Sequence, residues 1–416
     1  MPKAARHISR SLAPRLREAL ADTPAVLIHG PRQSGKTTLA RAVGEPRGYR
    51  YVSFDDEAIR RAAKSDPIGF VSDLPPKIIL DEVQRVPELC TSLKATIDRR
   101  RTAGRFILTG SANVLLVPNL ADSLAGRMGI LRLHPLAQAE IEGHRPDFID
   151  RLFRGGFKTG IAERLGSDLA ERIAAGGYPA ALARRTQRRR RAWYRDYVET
   201  QVQRDVRDLA RIHSLEALPK LLALTAAHTA QLINVADLSA PFELTRQTIH
   251  DYVTLLERIF LVERLPPWHT NRLSRLVKRP KLHMGDTGVA CALLGIDAAG
   301  LDRDRRLLGA MLETFVLQEL RRQASWRPTP IEFFHFRDRD DFEVDLVLEQ
   351  GHAAIAGVEV KAAATVVDAD FRGLRKLRDA AGPGFRAGVV LYDGTATARF
   401  DDRLFAVPVR RLWEAG

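Results

Sequence analysis

The chain has 416 residues, 45% of them hydrophobic, which suffices for roughly two to four domains that each bury a core and excludes a disordered protein. Lys and Arg number 65 against 51 Asp and Glu, a net charge of +14 that favours a polyanionic partner such as nucleic acid, although a coding bias toward arginine gives the same balance. Two distant cysteines, Cys90 and Cys291, exclude a disulfide framework or zinc cluster and fit a reducing cytoplasm, and no apolar run approaches the ~20 residues that span a bilayer.

The first stretch, Met1 to Leu20, is arginine-rich and carries Ile8, Leu12, Leu16 and Leu20 at helical spacing, which predicts a helix packed beside the core that follows. It lacks the apolar centre of a secretion signal; a transit peptide is the alternative. Ala25 to Ile28 reads as a buried strand and Thr37 to Val43 as a helix. Between them, Gly30-Pro31-Arg32-Gln33-Ser34-Gly35-Lys36-Thr37-Thr38 satisfies G-x-x-x-x-G-K-[ST]. Two glycines let the backbone fold so that successive N–H groups point inward at phosphate oxygens, and the new helix adds its positive end. Lys36 then reaches the outer phosphates and the Thr37 hydroxyl holds a magnesium ion. A glycine turn followed by chance by lysine and threonine is the plain alternative, which the flanking strand and helix argue against.

Tyr49 to Phe54 and Lys77 to Leu80 are further short strands, with a helix from Ala58 to Lys64 between them, so the alternation predicts a parallel sheet with crossovers. The second of these strands ends in Asp81-Glu82. A phosphate-loop ATPase needs one acid facing the magnesium ion and a second to polarise the attacking water, and Asp81 and Glu82 fit those roles. The strand Arg105 to Gly110 ends in Ser111-Ala112-Asn113, so Ser111 or Asn113 is positioned to orient water, although a helix cap reads identically.

At this point the chain resembles AAA-type ATPases, and within them a bacterial and archaeal group with G-P-R-Q-x-G-K-T, L-D-E-x-Q, L-T-G-S and L-A-G-R, found at Gly30 to Thr37, Leu80 to Gln84, Leu108 to Ser111 and Leu124 to Arg127. The resemblance implies ATP as the nucleotide, Ser111 or Asn113 as the sensor, and Arg127 as the arginine that contacts the terminal phosphate, in its own subunit or in a neighbouring copy.

From Pro135 to Arg191 the pattern is helical and broken by Gly143, Gly155-Gly156 and Gly176-Gly177, which reads as a lid or connector. Its end carries six arginines between Arg184 and Arg191, followed by Trp193, Tyr194 and Tyr197, a set that suits phosphates and base stacking or, equally, a solvated helix face. Helices from Leu215 to Gln231, Val235 to Ser239 and Thr245 to Arg258, then a strand at Phe260 to Leu265, follow the order of a winged helix-turn-helix. Arg246, Gln247, Thr248 and His250 would face the groove of DNA; a dimerisation or lid module has the same order.

After Pro280, strands are expected at Lys281 to Met284, Ile331 to Phe336, Glu343 to Leu348, Ala356 to Lys361 and Ala387 to Leu391, with a helix from Leu308 to Gln323. Alternation puts Glu343 and Asp345 on one face, and Glu359 and Lys361 on one face. Glu313 shares a helical stripe with Val316, Leu317 and Leu320, so a carboxylate points inward and needs a partner. Glu313, Asp345 and the pair Glu359/Lys361 form E, D, E-x-K, which resembles the PD-(D/E)XK nuclease fold, with Val344 where the family name has proline. The resemblance implies that Glu313, Asp345 and Glu359 hold a divalent cation and that Lys361 orients the attacking water; a salt-bridged sheet face is the plain reading.

The expected fold class is α/β: a P-loop AAA-type parallel-sheet domain (1–140), a helical lid (141–194), a winged-helix-like domain (195–280) and a restriction-endonuclease-like domain (281–416). The expected protein is a cytoplasmic, homo-oligomeric ATPase using ATP and Mg2+, whose nucleotide state controls a module acting on nucleic acid, DNA first. The alternative is a nucleotide-dependent switch for a protein partner, with an inactive nuclease-like domain.

Overall fold

A computed structural model describes residues 8–111, 126–202, 217–232, 238, 242, 244–271, 275, 279–351 and 354–415. The chain divides into two compact units, one of His7–Leu136 with Arg258–Phe260 and one built mainly of Ala137–Glu257 and Leu261–Gly416. The expected segments 141–194, 195–280 and 281–416 therefore all contribute to the second unit.

The first unit is an α/β layer structure. Helix α1 (Ala13–Asp22) leads to β1 (Ala25–His29), α2 (Lys36–Gly44), β2 (Arg50–Ser53), α3 (Glu57–Ser65), α4 (Pro67–Ser72), β3 (Ile78–Asp81), α5 (Leu89–Arg99), β4 (Phe106–Gly110) and β5 (Met128–Arg132). The strands pair in parallel in the order β2-β3-β4-β1-β5. β1, β3 and β4 are buried along their whole length, as strands covered by crossover helices on both faces must be. Helix α1 begins at Ala13, with Pro14 in its first turn, where the missing N–H has no intrahelical partner to lose. Leu12, Leu16 and Leu20 are buried as the periodicity predicts.

The second unit holds two sheets. Strands β7 (Gln231–Leu232), β8 (Val262–Leu265) and β9 (Lys281–Met284) form one, in the order β7-β9-β8. The other has the order β10-β11-β12-β13-β15-β14-β6, from β6 (Gly160–Ile161), β10 (Ile331–Arg337), β11 (Glu343–Gln350), β12 (Ala354–Lys361), β13 (Phe385–Tyr392), β14 (Ala396–Asp401) and β15 (Leu404–Pro408). Lys281 to Met284 was expected to open the C-terminal sheet; it pairs instead antiparallel with β8, Val262 opposite Met284, because consecutive strands find each other first. The glycine-interrupted segment is more than a connector, since β6 closes one edge of the large sheet against β14.

Helix Ala217–Ala227 precedes β7, and helix Arg246–Arg258 starts where Thr245 Oγ1 accepts the Thr248 N–H at 3.1 Å. The short helix expected at Val235 to Ser239 lies, apart from Leu238, outside the described residues. Helix Arg305–Ser325 then runs into β10, β11 and β12, each antiparallel to the next, and helix Arg372–Ala381 crosses over so that β13 lies parallel to β12. Tyr194 and Tyr197 of helix Gln187–Gln201 are buried against Tyr178, and Trp193 stacks on Tyr197 at 5.1 Å with the Arg184 guanidinium over its ring. Tyr194 and Tyr197 are spent on packing, so they offer bases no platform, while Trp193 is half-buried; Arg185, Arg188 and Arg189 are the exposed members of the run.

Candidate functional site

In the first unit, β1 delivers the chain into the phosphate-loop segment at the C-terminal edge of the sheet. Gly30 has φ +149°, and a Cβ there would lie 2.1 Å from the Leu133 carbonyl oxygen, so only glycine lets the loop leave β1 this close to the chain following β5. Gly35, at φ +96°, is the left-handed N-cap of α2, and Gln33 also sits at positive φ. Lys36 is buried, its Nζ donating to the carbonyls of Gly30 at 3.0 Å and Pro31 at 2.9 Å. The loop is thus wrapped around its own lysine. Ser34 is buried and its carbonyl accepts from Arg10 Nη1 at 2.6 Å, while Arg10 Nη2 donates to the His134 carbonyl at 2.6 Å. That brace from the N-terminal segment was not visible in the sequence. Arg32 is half-buried and Thr38 exposed on the first turn of α2.

The two acids at the end of β3 take different partners. Asp81 is 4% exposed and accepts Thr37 Oγ1 at 2.9 and 3.1 Å, Tyr51 OH at 2.8 Å, and the Thr109 hydroxyl. Thr37 and Asp81, 44 residues apart in sequence, are therefore in direct contact. Glu82 turns away, at φ +59°, a left-handed backbone uncommon for a residue with a side chain. Its N–H donates to Thr109 Oγ1 at 3.1 Å, and its carboxylate accepts Ser111 Oγ at 2.8 Å and the Gln84 amide. Burial would raise the Glu82 pKa, but Lys36, the Gln84 and Ser111 hydrogen bonds and Arg32 outweigh it and hold the carboxyl below its ordinary range. Glu82 is thus an anion held by two donors within the field of the loop lysine. Thr109, fully buried, links the Asp81 carboxylate to the Glu82 backbone N–H with one hydroxyl, and no periodicity marks it out from the apolar strand that carries it.

Ser111 donates its hydroxyl to Glu82, and Asn113 lies outside the described residues. Arg127 is not gathered with these groups: its guanidinium forks onto Asp98 of α5, Nε to Oδ1 at 2.5 Å and Nη2 to Oδ2 at 3.0 Å.

In the second unit, the E, D, E-x-K set converges on one pocket, with a cation the pattern lacks. Lys281 Nζ lies 2.9 Å from Glu313 Oε1, 2.5 Å from Glu343 Oε1 and 3.4 Å from Asp345 Oδ1. Asp345 Oδ2 accepts the Val360 N–H at 2.9 Å, and Lys361 Nζ pairs with Glu359 Oε1 at 2.8 Å. Burial and the neighbouring Asp345 push Glu359 up to about 8, and burial alone would push Lys281 down, but Glu313, Asp345 and Glu343 outweigh it and hold its ammonium charged. Among the described residues Glu313, Asp345 and Glu359 do not bring one oxygen each within 4.8 Å of one another; only Glu142, His144 and Glu414 meet that spacing. The carboxylates of that trio are taken by Arg172 and Arg410. As arranged, then, the acids of the pocket fit an ammonium and do not fit a shared metal ion.

A five-stranded parallel sheet whose first strand opens into a glycine-bent loop, with Lys36 and Thr37 beginning the next helix and Asp81 facing that threonine, defines a P-loop ATPase domain of the AAA type. The sequence agrees: it matches the AAA domain family over residues 22–142, and two domains of unknown function over residues 166–300 (DUF8612) and 308–412 (DUF4143). The chain belongs to the family of Uncharacterized protein Rv2008c of Mycobacterium tuberculosis and Uncharacterized protein Mb2031c of Mycobacterium bovis, each 32% identical over 359 residues, 86% of this chain and 74% of theirs. Among solved structures, the Walker-type ATPase PABY2304 of Pyrococcus abyssi is 17% identical and aligns over 70% of this chain and 98% of its own, with a TM-score of 0.45. The RuvB Holliday junction branch migration motor of Thermotoga maritima, 18% identical, aligns over 61% of this chain and 89% of its own with a TM-score of 0.30. Among the described residues, no helix is long and apolar enough to cross a membrane.

Proposed function

We propose that the protein hydrolyses ATP at the phosphate loop and that its nucleotide state governs a second unit that engages nucleic acid. The observation that carries the first half is the interlocked set Thr37–Asp81–Thr109–Glu82–Ser111 beside Lys36. The loop amides and Lys36 hold the phosphates, Lys36 exchanging its two carbonyl partners for phosphate oxygens. A hydroxyl touching a carboxylate is a donor set of hard oxygens, so Thr37 and Asp81 suit magnesium, which supplies charge neutralisation on the phosphates when bound. Glu82, ionised and aimed by Ser111 and Gln84, accepts a proton from the attacking water, and Ser111 orients that water. Asn113 and, in its own subunit or in a neighbouring copy of a homo-oligomer, Arg127 are assigned to the terminal phosphate by resemblance alone. Lys36→Ala tests the assignment: turnover is expected to vanish, and a variant with full rate would remove it.

The second half rests on element order and charge. Helix, β7, helix, β8, β9 is the succession of a winged helix, and Arg246, Gln247 and His250 are exposed at the start of its last helix with Thr248 half-buried beside them. Helix, three antiparallel strands, crossover helix and a parallel fourth strand is the order of the PD-(D/E)XK nuclease fold. Fluorescence anisotropy on labelled DNA and RNA tests this: affinity falling steeply with salt, and weakened by Arg246→Glu, is expected, and salt-independent or absent binding refutes it. The lysine among the pocket's acids favours a second reading over cleavage, in which this domain is a platform for a protein partner.

A further inference from the structure

The acidic pocket is occupied by a side chain that arrives from elsewhere in the fold. Lys281 belongs to β9, whose strand partners are β7 and β8, so its stem reaches the pocket from outside the seven-stranded sheet. On the same face of β9, two residues on, His283 is fully buried and its Nδ1 lies 3.0 Å from Thr314 Oγ1, next to Glu313 on helix Arg305–Ser325. β9 is therefore seated on that helix at two points, and the lysine is built into the core of the unit: its side chain is 4% exposed.

The arrangement around Nζ is that of a central cation. Three carboxylates, from the helix (Glu313) and from β11 (Glu343 and Asp345), surround an ammonium that has three protons to give. A divalent ion would draw carboxylate oxygens to about 2.0–2.6 Å of one point. Here the carboxylates of Glu313, Asp345 and Glu359 are instead held apart, and the second oxygen of Asp345 is committed to the Val360 N–H. Lys361 adds a further positive charge, paired with Glu359 at the pocket's more exposed side.

We propose that Lys281 is the resident cation of this pocket: its ammonium stands where a divalent metal would be held, so the folded chain takes up no metal there, and a neutral side chain at position 281 opens the pocket to one. With Lys281 removed, Glu313, Glu343, Asp345 and Glu359 keep Lys361 as their neighbouring cation, and their oxygens become free to bind a hard divalent cation, Glu313 and Glu359 giving up the protons that burial favours on them. The inference rests on the nuclease-like reading only for the choice of a metal as the displaced ligand. Metal uptake, not cleavage, is its readout.

The test is a manganese titration of the nucleotide-free full chain, following free Mn2+ by electron paramagnetic resonance, for wild type, Lys281→Met, Asp345→Asn and the double variant. Wild type is expected to show no site tighter than about 1 mM, and Lys281→Met to gain one site at least roughly tenfold tighter that the added Asp345→Asn removes. A wild-type site lost in Asp345→Asn overturns the proposal, as does a folded Lys281→Met variant with no site. If Lys281→Met does not fold, Lys281→Gln takes its place; should both melt early, Mn2+ is expected to raise their melting temperature and leave wild type unmoved, and no rise overturns the proposal. A variant that gains the site and cuts no DNA keeps this inference and removes cleavage from the functional reading.

Discussion

Thr109→Val isolates the one hydroxyl that holds both acids of the ATPase site. Valine keeps the shape, so no cavity opens in β4, where Thr109 is fully buried. What goes is a charge-assisted bond to Asp81, worth roughly 1.5–3 kcal/mol, and the acceptor for the Glu82 N–H, whose buried loss costs about 1–3 kcal/mol. Together these amount to ~2.5–6 kcal/mol, on the order of a 10–20 °C drop in the melting temperature of a unit this size. Glu82 also loses the anchor that keeps its backbone left-handed, at φ +59°, so its carboxylate drifts from the water it should activate. Lys36 and its loop are untouched. Steady-state ATP hydrolysis is therefore expected to show kcat reduced at least ~10-fold, about 1.4 kcal/mol, with KM within roughly threefold of wild type. An unchanged kcat, or a loss carried wholly by KM, would refute the reasoning.

Arg10→Met removes two short bonds to the Ser34 and His134 carbonyls, and is expected to weaken ATP binding about tenfold by releasing the loop, measured by calorimetric titration; unchanged affinity would make Arg10 a packing residue only. Glu319 gives a pH prediction: burial, opposed by Arg322 and the Gln138 N–H, raises its pKa from 4.5 to about 7, so the folded chain holds a proton that the unfolded chain releases. Its contribution to stability is therefore greatest below about pH 4.5 and falls by roughly 3 kcal/mol as pH rises to about 7, and Glu319→Gln is expected to flatten the melting-temperature profile across that window. Equal slopes in the two proteins would contradict it.

What was legible in the sequence is what acts over short separations. Gly30, Gly35, Lys36 and Thr37 lie within eight positions, and their loop geometry is dictated by which residues tolerate positive φ and close backbone approach. Asp81 and Glu82 were legible because an apolar strand ending in two acids has few other meanings after such a loop. Alternation likewise placed Glu343 with Asp345 and Glu359 with Lys361, and the helical stripe placed Glu313 inward. Lys281 was not legible: its meaning depends on β9 pairing with β8 and on partners 32 and 64 residues away, and no periodicity within β9 records that. The same holds for Arg10, whose carbonyl at His134 is 124 residues distant, and for β6, too short to carry a strand pattern. The arginine run left base stacking and a solvated helix face both open because Trp193, Tyr194 and Tyr197 are aromatic in either role, and packing against Tyr178 is not recorded in their spacing.

The most direct measurement is single-turnover hydrolysis of bound ATP with magnesium, comparing wild type with Glu82→Gln. Glutamine keeps the size of the side chain and can still accept from Ser111, but it cannot take a proton from water. Wild type is expected to convert bound ATP to ADP, and Glu82→Gln to bind ATP with similar affinity and convert it at least ~100-fold more slowly. Conversion at the wild-type rate by Glu82→Gln, or no magnesium-dependent ATP binding by wild type, would contradict the account.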